Sequence, residues 1–148
     1  MRIWDIPPAE LCRQHLLGEH RELHGLWNIL TRDLAGYRRH PETLRWEGKL
    51  AALYRRHEAL VGEMERRGYR HQSPLDPDLA TGADRQDAYV DPPPEQRRLL
   101  ASKPCDCPLD PTRPRPSPGH RGRGGCGGRT GSGCGGGQDP GAEGSRGG

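Results

Sequence analysis

Two groups that can act together on an aldehyde-like carbon stand near the start of the chain. One is the α-amino group of Met1, and the other is the carboxylate of Glu22. An amine that forms an imine and a carboxylate that moves protons are a pair suited to covalent catalysis. An α-amino group ordinarily titrates at about 7.7–8.0, so roughly a tenth of such groups is neutral and nucleophilic at pH 7.

Glu22 belongs to a stripe of residues with helical spacing. His15, Gly18 and Glu22 recur at intervals of three and four, which places them on one face of a helix. Gly18 has no side chain, so a backbone or a substrate can approach closely there. The alternative interpretation is a solvent-exposed helix face with ordinary charge pairs, and spacing alone favours that alternative.

Apolar periodicity predicts two long helices that position this stripe. The first is expected from about Pro8 to about Leu34, with Gly36 as a stop. The second is expected from Pro41 to Arg67, because a proline at the first turn and cations in the last turn suit the two ends of a helix. Two helices of this length joined by a short turn should pack against each other.

The remaining segments predict less regular structure. Residues 71–94 are rich in proline and have no sustained period, so we expect an irregular wrap, followed by a short helix over about 94–102. The expected fold is all-α: a small helical domain of two long packed helices plus a short C-terminal helix, over residues 1–107. Residues 108–148 are Gly-, Pro- and Arg-rich, and composition predicts a disordered tail.

Charge is divided unevenly along the chain. Residues 1–107 hold 17 Lys and Arg against 17 Asp and Glu, whereas residues 108–148 hold six Arg against three acidic residues. The predicted domain is therefore formally neutral, and the tail carries the whole net charge of +3. A neutral domain can bind a polyanion only by segregating its cations onto one face.

The cysteines indicate the compartment more clearly than a site. There are five, at Cys12, Cys105, Cys107, Cys126 and Cys134. An odd count without an apolar export signal predicts reduced thiols and a cytoplasmic location. Cys105 and Cys107 could ligate a metal together with a histidine, but two thiols without a second clear pair are a weak zinc signal. We expect no metal and no cofactor, and Cys12 is expected to be a small buried residue.

The N-terminal motif also carries a resemblance to a known family. Arg2-Ile3 is followed, at the family's spacing, by Gln14-His15-Leu16, Glu19 and Arg21-Glu22-Leu23. The chain resembles the phage-type pyrimidine-dimer DNA glycosylases, also called the endonuclease V family. Further similarity lies at Lys49-Leu50, Leu53, Arg56, Leu60, Glu63, Arg67-Gly68 and Asp87-Ala88-Tyr89-Val90.

The resemblance implies a specific chemistry for Met1 and Glu22. The family's nucleophile is the α-amine of the first mature residue, which corresponds here to Met1, expected to be retained because Arg2 is large. The family's catalytic carboxylate corresponds to Glu22, and no metal is needed. Its substrate-contacting residues correspond to Arg2, Gln14, His15 and Arg21.

Three arginines near the expected interhelical turn are further candidates for phosphate contacts. They are Arg38, Arg39 and Arg45, and a solvated basic turn is an equally good interpretation of them. Two departures from the family concern the substrate. The family has an arginine where Gly25 stands, and it ends in an aromatic-rich segment that has no counterpart here.

The resulting prediction is a DNA-repair glycosylase and AP lyase that attacks C1′ of a damaged nucleotide, cleaving the strand through a Schiff base and β-elimination. The expected partner is double-stranded damaged DNA, carrying a pyrimidine dimer or a related lesion, with no membrane partner. We expect a monomer in the cytoplasm, associated with the nucleoid. The alternative is a catalytically silent helical module that binds DNA or a protein.

Overall fold

The computed structural model describes residues 1–109, and every regular element in this part of the chain is a helix. The elements are a 3-10 turn at Pro8–Glu10, α1 (Arg13–Arg32), α2 (Pro41–Leu44), α3 (Leu50–Arg66), a second 3-10 turn at Pro77–Leu79 and α4 (Pro93–Ala101). The prediction of an all-α fold with two long helices and a short C-terminal helix is confirmed. The predicted disordered tail lies outside the described residues, apart from positions 108 and 109.

The first long helix is shorter at both ends than its periodicity predicted. Leu11 and Cys12 have extended backbones, which separate the 3-10 turn from α1. At the other end α1 stops at Arg32, because Asp33 adopts the left-handed conformation with φ 52° and ψ 44°. Aspartate tolerates this conformation better than most residues, so the helix ends before Gly36 is reached.

The second predicted helix is divided in two. A turn containing Gly48, with φ +70°, separates α2 from α3. The Gly48 carbonyl accepts a hydrogen bond from the Ala83 N–H at 2.9 Å. A Cβ on Gly82 would lie 2.1 Å from the Gly48 oxygen, so this close approach requires glycine. The irregular 71–94 segment therefore docks on the turn and interrupts the helix.

The core lies mainly between α1 and α3. It includes all three tryptophans, and an ion pair crosses it: Arg56 donates to Glu19 from Nε at 2.7 Å and from Nη2 at 2.9 Å. Arg56 also donates to the Ile6 carbonyl at 2.8 Å, so α3 binds the N-terminal segment as well as α1. The buried apolar side chains are Ile3, Trp4, Ile6, Leu11, Leu16, Leu23, Leu26, Trp27, Ile29, Trp46, Ala52, Leu53, Leu60, Met64, Leu75 and Leu100.

Candidate active site at the N-terminal segment

The N-terminal segment is held against α2 and the turn after it by a buried polar network. The Ile3 N–H donates to Glu42 Oε1 at 3.2 Å, and Arg45 Nη2 donates to the Ile3 carbonyl at 2.8 Å. Glu42 also accepts from Arg45 Nε at 2.8 Å and from the Trp46 indole N–H at 3.2 Å. Both charged side chains are buried, so they fix the backbone of Ile3 in a low-dielectric environment.

A second set of contacts to this segment comes from α4 and the residues before it. The Gln96 carboxamide accepts from the Asp5 N–H at 2.7 Å and donates to Asp5 Oδ2 at 2.8 Å. The Arg2 guanidinium forms an ion pair with Asp91 at 2.8 Å and lies 5.2 Å from the centre of the Trp4 ring. Residues about 90 positions apart in sequence thus fix the start of the chain.

Arg45 does not have the position expected of a phosphate contact. Its side chain is only 5% exposed, and besides Glu42 it binds Asp5 Oδ1 at 3.1 Å and the Ala88 carbonyl at 3.1 Å. A guanidinium with all of these internal partners is not available to DNA. The prediction for Arg45 is therefore replaced by a positioning role, in which it aligns the residues that follow the terminal amine.

Trp4 marks where the N-terminal segment meets α1. Its ring packs edge-on against His15, with ring centres 5.9 Å apart. Burial raises the pKa of Glu19, and the opposing influences are Arg56 and a hydrogen bond from the Trp4 backbone. Residue 4 therefore lies at the level of residues 15–19 of α1.

Met1 and Glu22 each lie three residues along the chain from a residue of this contact. Glu22 is exposed and lies three residues beyond Glu19, which is about 4.5 Å farther along the helix axis. Met1 lies three residues before Trp4, so the chain can span about 10 Å from that contact. The Met1 side chain is half-buried, with Sδ 4.0 Å from Thr43 Oγ1. Within residues 1–109, neither the Met1 amine nor the Glu22 carboxylate has a side-chain partner.

The face of α1 beside Glu22 is open. Gln14 and Arg21 are exposed, and neither side chain has a partner in the part of the chain that the structure describes. A Cβ added to Gly18 or Gly25 would meet nothing within 4 Å. These four positions share one face at spacings of four, three and four, so a polyanion can approach Glu22 there without displacing protein.

The loop between α1 and α2 contains the two remaining predicted phosphate contacts. Arg38 forms ion pairs with Asp33 and with Glu47, whereas Arg39 is exposed and unpaired among residues 1–109. Tyr37, which was not predicted from the sequence, is 69% exposed and has a backbone φ of 56°. An exposed aromatic ring beside a free arginine is a combination that can stack on a nucleobase and bind its phosphate.

His15 is placed differently from the other predicted substrate contacts. Its Nδ1 lies 3.1 Å from Cys12 Sγ and 3.2 Å from Cys107 Sγ, and Cys105 Sγ lies 3.6 Å from Cys107 Sγ. Burial lowers the pKa of His15, and the Lys103 charge lowers it further. Burial raises the pKa of the Cys107 thiol to about 12. The imidazole nitrogen closest to these thiols is therefore not directed at an open substrate surface.

A cluster of four histidines was not predicted from the sequence. His20 and His24 of α1 meet His57 of α3 and His71, with ring centres 4.6–5.2 Å apart. Burial, reinforced by the neighbouring imidazoles, lowers the pKa of His20 to about 4. The pKa of His24 and that of His57 are lowered by burial as well. The only sequence signal was the four-residue spacing of His20 and His24.

These features define a small all-α protein with an anchored N-terminal segment and an acidic residue on an open helix face. Residues 1–77, more than half of the chain, match the family model described as pyrimidine dimer DNA glycosylase. The chain therefore belongs to the pyrimidine dimer DNA glycosylase family, a family of DNA-repair enzymes that act on damaged DNA. Searches of curated proteins and of solved structures find no match.

The family match ends before several residues that complete the site. Asp91 and Gln96 lie beyond residue 77, although they bind Arg2 and Asp5. Cys105 and Cys107 also lie beyond it. In residues 1–109, no helix is long and apolar enough to cross a membrane.

Proposed function

We propose that this chain is a DNA glycosylase and AP lyase whose nucleophile is the α-amine of Met1. The neutral amine attacks C1′ of a damaged nucleotide, the bond from C1′ to the base breaks, and the base departs with a proton. Loss of the amine proton and opening of the sugar ring give an imine. Glu22 then removes a proton from C2′, and the 3′-phosphate leaves by β-elimination. Water hydrolyses the imine and returns the free amine.

The observation that carries this proposal is the anchoring of the N-terminal segment beside α1. Glu42, Arg45 and Gln96 hold residues 3–5 by five hydrogen bonds or ion pairs, so the terminus starts from a fixed point. A nucleophile needs such positioning, because orientation contributes much of the rate in reactions between bound groups. The three residues that lead from Trp4 to the amine can span about 10 Å, and we infer that this reach brings the amine to Glu22.

The open face of α1 and the α1–α2 loop supply the proposed DNA surface. Gln14 and Arg21 flank Glu22 on α1, and Arg39 lies in the loop. Arg2 reaches a phosphate only by exchanging its ion pair with Asp91. Tyr37 stacks on a base at the lesion, where the duplex is already easier to unstack.

The proposal is tested by borohydride trapping on two duplexes, one with an abasic site and one with a cyclobutane pyrimidine dimer. The full chain is prepared without an N-terminal tag, and mass spectrometry establishes that Met1 is its first residue. We expect a covalent protein–DNA product linked through the Met1 nitrogen, located by peptide mapping. Trapping on the abasic duplex alone would retain the lyase chemistry and reassign the lesion.

Matched variants separate the two catalytic groups from the rest of the surface. Glu22→Gln should abolish strand cleavage, whereas Glu65→Gln, on the exposed side of α3, should cleave like the wild type. Acetylation of the Met1 amine should abolish trapping. Normal trapping by the acetylated protein would overturn the terminal-amine mechanism, and DNA binding without trapping by the unmodified protein would leave a catalytically silent binding module.

A further inference from the structure

Two clusters of cysteine and histidine side chains take no part in the proposed reaction. One contains Cys12, His15, Cys105 and Cys107, and we call it the thiol cluster. The other contains His20, His24, His57 and His71, and we call it the histidine cluster. In each cluster, one ligand atom from every member lies within 4.8 Å of the others.

We propose that the thiol cluster is a structural zinc site with three thiolate ligands and one imidazole ligand. Such a set is a standard tetrahedral zinc environment, with Zn–S of about 2.3 Å and Zn–N of about 2.0–2.1 Å. Those bonds place tetrahedral ligands about 3.8 Å apart for two sulfurs and about 3.6 Å apart for sulfur and nitrogen. The distances of 3.6, 3.1 and 3.2 Å in the cluster are within about half an ångström of these values.

The sequence positions of these ligands also suit zinc. Cys12 and His15 are separated by two residues at the start of α1, and Cys105 and Cys107 follow α4. The cluster therefore joins the segment after α4 to the first turn of α1. Because His15 packs on Trp4, the ion would also fix the wall against which the N-terminal segment lies. Zinc binding displaces the thiol protons, which reverses the effect that burial has on the free thiol of Cys107.

A different observation assigns the histidine cluster as a second zinc site. The His57 side chain is fully buried, and its Nε2 makes no hydrogen bond of normal geometry with the described residues, although the Ser73 backbone lies close to the ring. Its Nδ1 lies 2.9 Å from the Glu58 carboxylate, which can only accept, so Nδ1 carries the proton and Nε2 presents a lone pair. A metal-ligating histidine commonly has this carboxylate partner on its other nitrogen.

The ring nitrogens of the other three histidines also have too few hydrogen-bond donors around them. His20 Nε2 and His24 Nε2 are 3.3 Å apart, which equals the edge of a tetrahedron with Zn–N bonds of about 2.0 Å. Ser73 Oγ lies 3.4 Å from His24 Nε2 and 3.4 Å from His71 Nε2, but one hydroxyl has one proton to donate.

Metal analysis of the full, untagged chain tests both sites. The protein is refolded with excess Zn²⁺, passed over a desalting column and analysed by inductively coupled plasma mass spectrometry. We expect two zinc ions per chain. A mercurial thiol reagent should release one of them, and the other should leave only on acidification or with a strong chelator. No retained zinc would overturn both assignments.

Variants then assign each ion to its cluster. Cys105→Ser with Cys107→Ser should retain one zinc ion, and so should His24→Ala with His71→Ala. The matched control is Cys126→Ser with Cys134→Ser, which removes the two thiols outside the described residues and should retain two ions. Loss of zinc in that control, or two ions in either cluster variant, would overturn the corresponding assignment.

Cobalt spectra keep the test independent of whether the variants fold. Wild-type protein loaded with Co²⁺ should show an intense sulfur-to-cobalt charge-transfer band from the thiol cluster and strong visible bands from two tetrahedral centres. Absence of the charge-transfer band would overturn the thiol site. A disulfide between any two of Cys12, Cys105 and Cys107 in freshly purified protein, detected by its mass, would overturn it too.

Discussion

The Glu42–Arg45 network and the histidine cluster are both buried and polar, yet they satisfy their polar atoms in opposite ways. Glu42 and Arg45 carry opposite charges, and each makes at least three contacts with protein groups. The histidine cluster brings together four imidazoles, and His57 Nε2 is the one buried side-chain nitrogen or oxygen without a partner of normal geometry in residues 1–109. Buried polar atoms are costly when unpaired. Protein groups therefore pair the polar atoms of the Glu42–Arg45 network. The histidine cluster needs a bound cation for the same purpose.

The largest effect should come from breaking the complete network. Arg45→Ala leaves Glu42 and Asp5 buried without their cation, so we expect a loss of about 3–5 kcal/mol in the free energy of unfolding. Cleavage should fall with it, since the terminal amine loses its anchor. Urea unfolding measures the first effect. Arg39→Ala is the control and should stay within about 0.5 kcal/mol of the wild type. An unchanged urea midpoint for Arg45→Ala would mean that the network is not stabilising.

Mutation of the histidine cluster should change the free energy of unfolding in a direction that depends on whether zinc is bound. In metal-free protein His57→Leu removes an unpaired buried nitrogen, so stability should be unchanged or higher by about 1–3 kcal/mol. In zinc-loaded protein the same change removes a ligand and should lower the free energy of unfolding. Paired urea titrations with a chelator and with Zn²⁺ check this reversal. If His57→Leu changed the free energy of unfolding in the same direction in both conditions, the histidine cluster would not differ from the Glu42–Arg45 network in needing a cation.

Glu63 is a second buried charge that protein groups pair, and its contribution to stability can be tested by changing the pH. Burial alone would raise its pKa, but hydrogen bonds and charges from Arg66 and Arg67 outweigh burial and lower it. A lowered pKa means that Glu63 stabilises the fold above the ordinary carboxyl value of about 4.3, and that this stabilisation is lost as pH falls through the lowered pKa. Glu63→Gln should therefore cost about 1–2 kcal/mol at pH 7 and almost nothing in strong acid. Urea midpoints from pH 7 down to pH 2 measure the convergence, with the exposed Glu65→Gln as the control.

The smallest effect concerns the open face of α1, which has no internal role to lose. Gly25→Arg places an arginine in open space at the position where the family resemblance implies one, and replacing a helical glycine should add up to about 1 kcal/mol of stability. It should also steepen the dependence of log K on log salt for DNA binding by about one. Gly62→Arg, at an equally open position of α3, should add stability without changing the salt dependence. Equal slopes for both variants would place the DNA surface elsewhere.

The elements of this fold were largely readable from local patterns, and their interruptions were not. Apolar periodicity located both long helices and the short α4, because each must bury one stripe. It joined α2 to α3, since nothing local reveals that Gly48 contacts Gly82 and Ala83. It also extended α1 past Arg32, where Asp33 takes a left-handed conformation.

The exposure of a candidate residue was predictable where it depends on one helix and unpredictable where it depends on several elements, and the roles of these residues stay predictions. Gln14, Arg21 and Glu22 lie on the exposed face that helical spacing gives them. Arg45 was misread, because an arginine in a basic turn looks exposed until its partners 40 and 43 residues away are known. Cys105 and Cys107 were considered as metal ligands, but that Cys12 and His15 join them was missed for the same reason, as Cys12 and Cys107 are 95 residues apart.

The distance in sequence between the N-terminal segment and its anchors has a consequence for the order of assembly. Chain synthesis delivers Asp5 first, but Gln96 and Cys107 are made about 90 to 100 residues later. Contacts of such long sequence separation close the largest loops and form slowly. Asp5 is thus made early but reaches its native neighbours late, and a nascent chain that ends before residue 96 lacks the Gln96 anchor.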